Sequence, residues 1–228
     1  SNTVSLRLMF SLFSNWRRNR ILSRTNIDAE LWRRLVFSAN YLHGLSTDDL
    51  QRLNEDVRIF LHDKEFSGAH DLEINDEMML NIASQACLMT LNIGVERYES
   101  WHGIIIYPDE FVPNHQYVDE AGVIHTDRRP MTGMARSDGP VILSWADTQT
   151  AFAQDGVNVV IHEFVHVMDL QDSMPDGCPP MAAEARRTWL ALMQAQYEAF
   201  CEQVQQWERF GTLAIGPQGT SRAQQAPL

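Results

Sequence analysis

Apolar residues return at helical intervals in three stretches of the first hundred residues. Leu31, Leu35, Ala39 and Leu42 form one stripe behind Asp28, and Gly44 is placed to end that helix. Ser46, followed by Asp48 and Asp49, opens a second helix whose buried face would be Leu50, Leu53, Val57 and Leu61. A third starts at Asn75 or Asp76 and runs through Met79, Ile82, Ala83, Ala86 and Met89 towards Gly94, and its methionines read as core. The pattern then changes. Residues 101–107 are a β-branched run closed by Pro108, and residues 141–145 are another behind Gly139 and Pro140. Between them the chain is interrupted by Pro113, Pro130 and Gly133, with a hairpin expected where Ala121 and Gly122 join Tyr117-Val118 to Val123-Ile124. A helix is expected over 157–170, a loop over 172–180 with its three prolines and a glycine, and a last helix over 181–210. The sum is an α+β fold, mostly helical, with a small sheet.

Composition refines this picture. With 228 residues, 44% of them hydrophobic and 21% charged, the chain can bury an ordinary core. Residues 1–27 carry Arg7, Arg17, Arg18, Arg20 and Arg24 and no acid, so they read as a basic N-terminal arm. Its apolar Leu6, Met9, Phe10 and Phe13 suit a frayed or self-docked helix, or one that lies on a membrane surface or an acidic partner. Residues 28–210 then form a single domain with a helical N-terminal part, 28–95, and residues 211–228 form a flexible tail rich in Gly, Pro, Gln and Ser. A formal net charge of −12 disfavours direct nucleic-acid binding. No apolar run reaches the roughly 18 residues of a membrane span, and no secretory signal is recognisable. Cys87, Cys178 and Cys201 are odd in number and form no C-x-x-C, which points to free thiols and a cytoplasmic location.

The candidate chemistry sits in residues 162–166, His162-Glu163-Phe164-Val165-His166. Four residues advance a helix by about 400°, so both imidazoles leave one face about a turn apart and can chelate one zinc ion. Glu163 is rotated by about 100° from His162, outside the ligand set yet beside the water such an ion would bind. Zinc would lower that water's pKa towards roughly 7 and polarise a carbonyl, and Glu163 would pass the proton to a leaving amine, which is peptide hydrolysis. Chance places only about 0.02 such matches in a chain of this composition, so the pattern is read as a metal site. With Val159, Val160, Ile161, Phe164 and Val165 around it, the helix is expected to be apolar nearly all round and its polar trio central. The third ligand stays open between Glu184, Asp172 and none. Asp169 and Asp172 occupy the positions where a glycine and a third histidine stand in the metzincin pattern, which excludes that class. Asp169 is suited to accept a proton from the second imidazole or to brace the loop, and Glu184 also suits the positive end of the next helix. His43, His62, His70, His102, His115 and His125 have no metal spacing and read as structural or surface residues.

Residues 101–111 (WHGIIIYPDEF), 122–125 (GVIH), 139–145 (GPVILSW), 155–169 (DGVNVVIHEFVHVMD) and Asp176-Gly177, taken in order, resemble the Mlc titration factor A family of bacterial zinc metallopeptidases. The resemblance implies a zincin-like fold related to the catalytic domain of anthrax lethal factor, aminopeptidase-like activity, and binding to Mlc, a glucose-responsive transcriptional repressor. It makes His162 and His166 zinc ligands, Glu163 the general base, and 141–145 the strand flanking the substrate groove. It also implies a later segment whose Glu completes the zinc shell behind a Tyr, and residues 211–228, GTLAIGPQGTSRAQQAPL, contain neither. The expected function is thus zinc-dependent peptide hydrolysis combined with repressor binding. The alternative is a non-catalytic protein that sequesters the repressor through an incomplete zinc site.

Overall fold

Ser46 accepts a hydrogen bond from the Asp49 amide while the Asp49 carboxylate accepts from the Ser46 amide, a capping box that starts a helix over Thr47–Asp63. The computed structural model describes residues 15–111, 115–118, 124–127, 131–135, 139–150, 158–172 and 177–210. The expected tail over 211–228 and the hairpin tip lie outside the described residues. Two compact units divide the chain, residues 1–177 and 178–228.

In the first unit, helix α1 covers residues 15–22. It is followed by α2 (Ala29–Ser38), α3 (Thr47–Asp63), strand β1 (Glu65–Gly68) and α4 (Asp76–Thr90). Strands β2 (Gly103–Tyr107), β3 (His115–Val118), β4 (Ile124–Asp127), β5 (Gly133–Met134) and β6 (Val141–Ser144) come next, and then α5 (Trp145–Thr150) and α6 (Val159–Asp169). The main sheet runs β1-β2-β6-β5, the first three strands parallel and β5 antiparallel to β6. The hairpin expected around Ala121-Gly122 is the antiparallel pair β3 and β4, with Val118 opposite Ile124. The described part of the second unit contains α7 (Ala183–Phe210).

The core lies where α3, α4 and α6 meet the sheet. Phe60, Ile82, Ile104, Ile106, Leu143 and Phe164 are all fully buried there. The buried face of α3 is turned slightly from the one the periodicity suggests: Leu53 and Val57 are inside as expected, joined by Phe60, while Leu50 and Leu61 are only half-buried. The aromatic cluster explains the turn. Phe60 meets Tyr98 edge-on at 5.7 Å and lies 5.8 Å from Phe164, contacts a leucine at 61 would not make.

Two of the arginines of α1, Arg17 and Arg18, pair with acids of α3. Arg17 Nη2 donates to both carboxylate oxygens of Asp63 at 2.9 and 2.8 Å, and Arg18 reaches Glu55 and Asp56 at 2.8 Å each. Ile21 is buried, and Arg58 of α3 donates back to the carbonyls of Leu22 and Thr25. Residues 15–27 of the basic arm are therefore docked on the first unit. No helix among the described residues is long and apolar enough to cross a membrane, and all three cysteines are free thiols.

Candidate metal centre

Phe164 sets the rotation of α6. Its ring fills the aromatic cluster, 5.3 Å from both Tyr98 and Trp101, with Val160 and Val167 buried on the same face. His162 and His166 stand two residues before and after it, each about 200° around the helix, so both must leave the opposite side. They do. Both imidazoles are exposed, and Val165 between them is 46% exposed. The expectation of a helix apolar all round is corrected here: α6 is amphipathic, and the histidines line an open cleft of about 620 Å³ with Thr132, Asn158, Val159, Ile161 and Val165.

The two histidine Nε2 atoms approach to 3.3 Å, with ring centroids 4.8 Å apart. Two nitrogens held at the usual zinc distance of about 2.0–2.1 Å and a tetrahedral angle would stand roughly 3.3–3.4 Å apart, so the pair has the bite of a zinc chelate. One ring can also donate to the other at that spacing when no ion is bound. A pair of imidazoles suits zinc chemically as well.

Glu163 lies on the flank of α6, between the buried and exposed faces, and is only 5% exposed. Burial pushes its carboxyl up to about 7, and a hydrogen bond from the Ala135 amide acts in the opposite direction. This places its titration near neutrality, where a group can both take and return a proton.

The start of α6 is fixed from behind. Asn158 caps the helix by accepting from the Ile161 amide at 2.9 Å, and its side-chain nitrogen donates to Gln85 Oε1 at 2.7 Å. Gln85 in turn donates to Asn81 Oδ1 at 2.6 Å, and both α4 residues are buried. This amide relay escapes a reading by hydrophobic periodicity. The signal that could have found it is the spacing of Asn81 and Gln85, one turn apart inside an otherwise apolar helix.

Among the described residues of the first unit, no third His, Cys, Asp or Glu joins the histidine pair. Asp169 is buried in the last turn of α6, which continues through it into a short 3-10 turn ending at Asp172. The Asp172 side chain lies outside the described residues. Glu184 occupies the first turn of α7, where its charge complements the helix dipole. The strand expected to flank the groove, 141–145, is interior to the sheet: β5 intervenes and is its edge on that side, and Trp145 already begins α5. A two-residue strand beyond two chain breakers gives no pattern from which this could be read.

The comparisons with known proteins supply the class. Residues 13–222 match the family described as glucose-regulated metallo-peptidase M90, and the chain belongs to that metallopeptidase family. Within the curated proteins it is similar to Mlc titration factor A of Escherichia fergusonii, 29% identical over 72% of this chain and 62% of that one. The protein of the same name from Cronobacter sakazakii is 30% identical over the same shares, and that of Salmonella typhi 32% identical over 58% of this chain and 49% of its own. The matches thus span between about half and two thirds of the length of these relatives.

Proposed function

We propose that the chain is a cytoplasmic, zincin-like, zinc-dependent peptidase of aminopeptidase-like activity, in which His162 and His166 hold the metal and Glu163 is the general base. The observation that carries this reading is the 3.3 Å approach of the two Nε2 atoms beside a buried carboxylate on the same helix. A zinc ion held there supplies Lewis-acid polarisation of the scissile carbonyl and of the attacking water. Glu163 accepts the proton that the water gives up and delivers it to the departing amine nitrogen. The edge of the sheet binds the peptide. Thr132 accepts from the Ser144 amide at 2.8 Å, so in the antiparallel alternation Thr132 and Met134 turn their backbone groups to β6 and Gly133 turns its own outward. An extended substrate can pair with Gly133 there.

The relatives' name, Mlc titration factor A, supports binding of the Mlc repressor by this chain as well. A second reading, a non-catalytic protein that sequesters the repressor, is favoured by one observation: the histidine pair has no third protein donor among the described residues of the first unit. Glu163→Gln separates the two. It should lower peptide cleavage by about 10²–10⁴-fold, the contribution of a positioned general base, while zinc and repressor binding persist. Cleavage that survives the substitution sinks the mechanism. A zinc-loaded parent that cleaves no peptide yet captures the repressor establishes the second reading instead.

A further inference from the structure

Gly133 is not a glycine for conformational reasons. Its φ lies outside the left-handed region that favours glycine, which among the described glycines is occupied by Gly44, Gly94 and Gly177. It pairs with Leu143 in an ordinary antiparallel register, a position that alanine could adopt. What alanine could not do is share the space. A Cβ on Gly133 would stand 2.5 Å from Glu163 Oε1, 2.6 Å from its Cγ and 2.8 Å from its Cδ. The carboxylate of Glu163 therefore lies directly across the α-carbon of β5. Two residues on, the Ala135 amide donates to the same carboxylate. One short strand thus meets Glu163 twice, once with a missing side chain and once with a backbone donor.

We infer that Gly133 is a positioning residue for Glu163: its bare α-carbon forms the slot that holds the carboxylate against β5, on the helix that carries the His162–His166 pair, with the Ala135 amide closing it. The inference rests on the proposed role of Glu163 for its meaning in catalysis, while the slot itself is a matter of packing. The slot also ties the base to the peptide-binding edge, because Gly133 presents its outward backbone groups to the substrate and its α-carbon to Glu163. A side chain at 133 would displace the base by the width of a methyl group or turn it into another rotamer, and near-attack geometry tolerates neither.

The test is a double-mutant cycle on the full chain. In metal-free protein, Gly133→Ala should lower Tm by about 3–10 °C, the range that overpacking produces in a chain of this size. In a Glu163→Ala background, where the colliding atoms are gone, Gly133→Ala should lower Tm by less than about 1 °C. In zinc-loaded protein, Gly133→Ala alone should reduce kcat at least tenfold and leave KM within twofold, because the base moves while the edge remains. An equal loss of Tm in both backgrounds overturns the slot, as does no loss in either. A raised KM with unchanged kcat overturns the positioning role. Coupling in Tm with a parent that cleaves no peptide keeps the placement of Glu163 and removes the peptidase reading alone.

Discussion

Lys64 is 7% exposed, and its ammonium donates to the carbonyls of Tyr98 and Trp101 beneath the aromatic cluster. Burial pulls its pKa from the usual 10.5 down to about 8, partly opposed by the negative charges of Asp63 and Glu99. The folded pKa is thus below the unfolded one. Below about pH 8 both states carry the proton, and the folded state bears the cost of a desolvated charge. Between about pH 8 and 10.5 the folded protein releases a proton that the unfolded chain retains, so this residue's contribution to stability improves as pH rises. The expected outcome is that the urea midpoint of the parent gains on that of Lys64→Met from pH 7 to pH 9.5. Sequence alone could not expose Lys64. It follows His62 and Asp63 in a run that reads as a solvated helix end, and only the return of Tyr98 and Trp101, more than thirty residues on, covers it.

Between elements, the decisive join is α4 to α6. Replacing Asn158 by Ala removes the acceptor for the Ile161 amide and leaves Gln85 Oε1 buried without its donor. Loss of a cap costs about 1 kcal/mol and an orphaned buried acceptor about 1–3 kcal/mol more. Urea unfolding of Asn158→Ala should therefore show a loss of about 2–4 kcal/mol. Asn158→Asp keeps the acceptor for the helix and should recover part of it. The elements with their own local signal were legible: α3 through Ser46 and Asp49, α4 through Asn75, which accepts from the Met78 amide, and α6 through its histidine pair. Strands β2 and β6 were legible as apolar runs. Strand β1 was not, because Glu65-Phe66-Ser67-Gly68 has one apolar residue and becomes a strand only by pairing in parallel with β2, across the α4 crossover. Strand β5 was missed for the same reason, and with it the edge that holds Glu163. The histidines and their base could be named from the sequence, whereas what surrounds them depends on pairings between distant segments.

At the scale of the whole chain, metal loading and stability are one equilibrium. With 30 acids against 18 Lys and Arg, the surface attracts divalent cations of any kind, so zinc uptake by itself identifies no site. An ion chelated in the folded state and not in the unfolded one adds about 2.7 kcal/mol at one hundred times its Kd. For a chain of this size that corresponds to a rise in Tm of about 5–11 °C. The expected outcome is one zinc per chain by elemental analysis and a rise of this order on adding zinc to metal-free protein, both abolished by His162→Ala and by His166→Ala. Weak binding to surface carboxylates would survive those substitutions and so is separated from chelation. The same measurement decides the third donor. Loss of tight zinc in Glu184→Ala assigns it to the first turn of α7, and loss in Asp172→Ala assigns it to the turn that follows α6. Retention in both means that the 3.3 Å histidine pair holds the ion with no carboxylate from either place. A hydrolytic zinc site takes three protein ligands and leaves one position to water, so the third donor would then have to come from a residue other than these two.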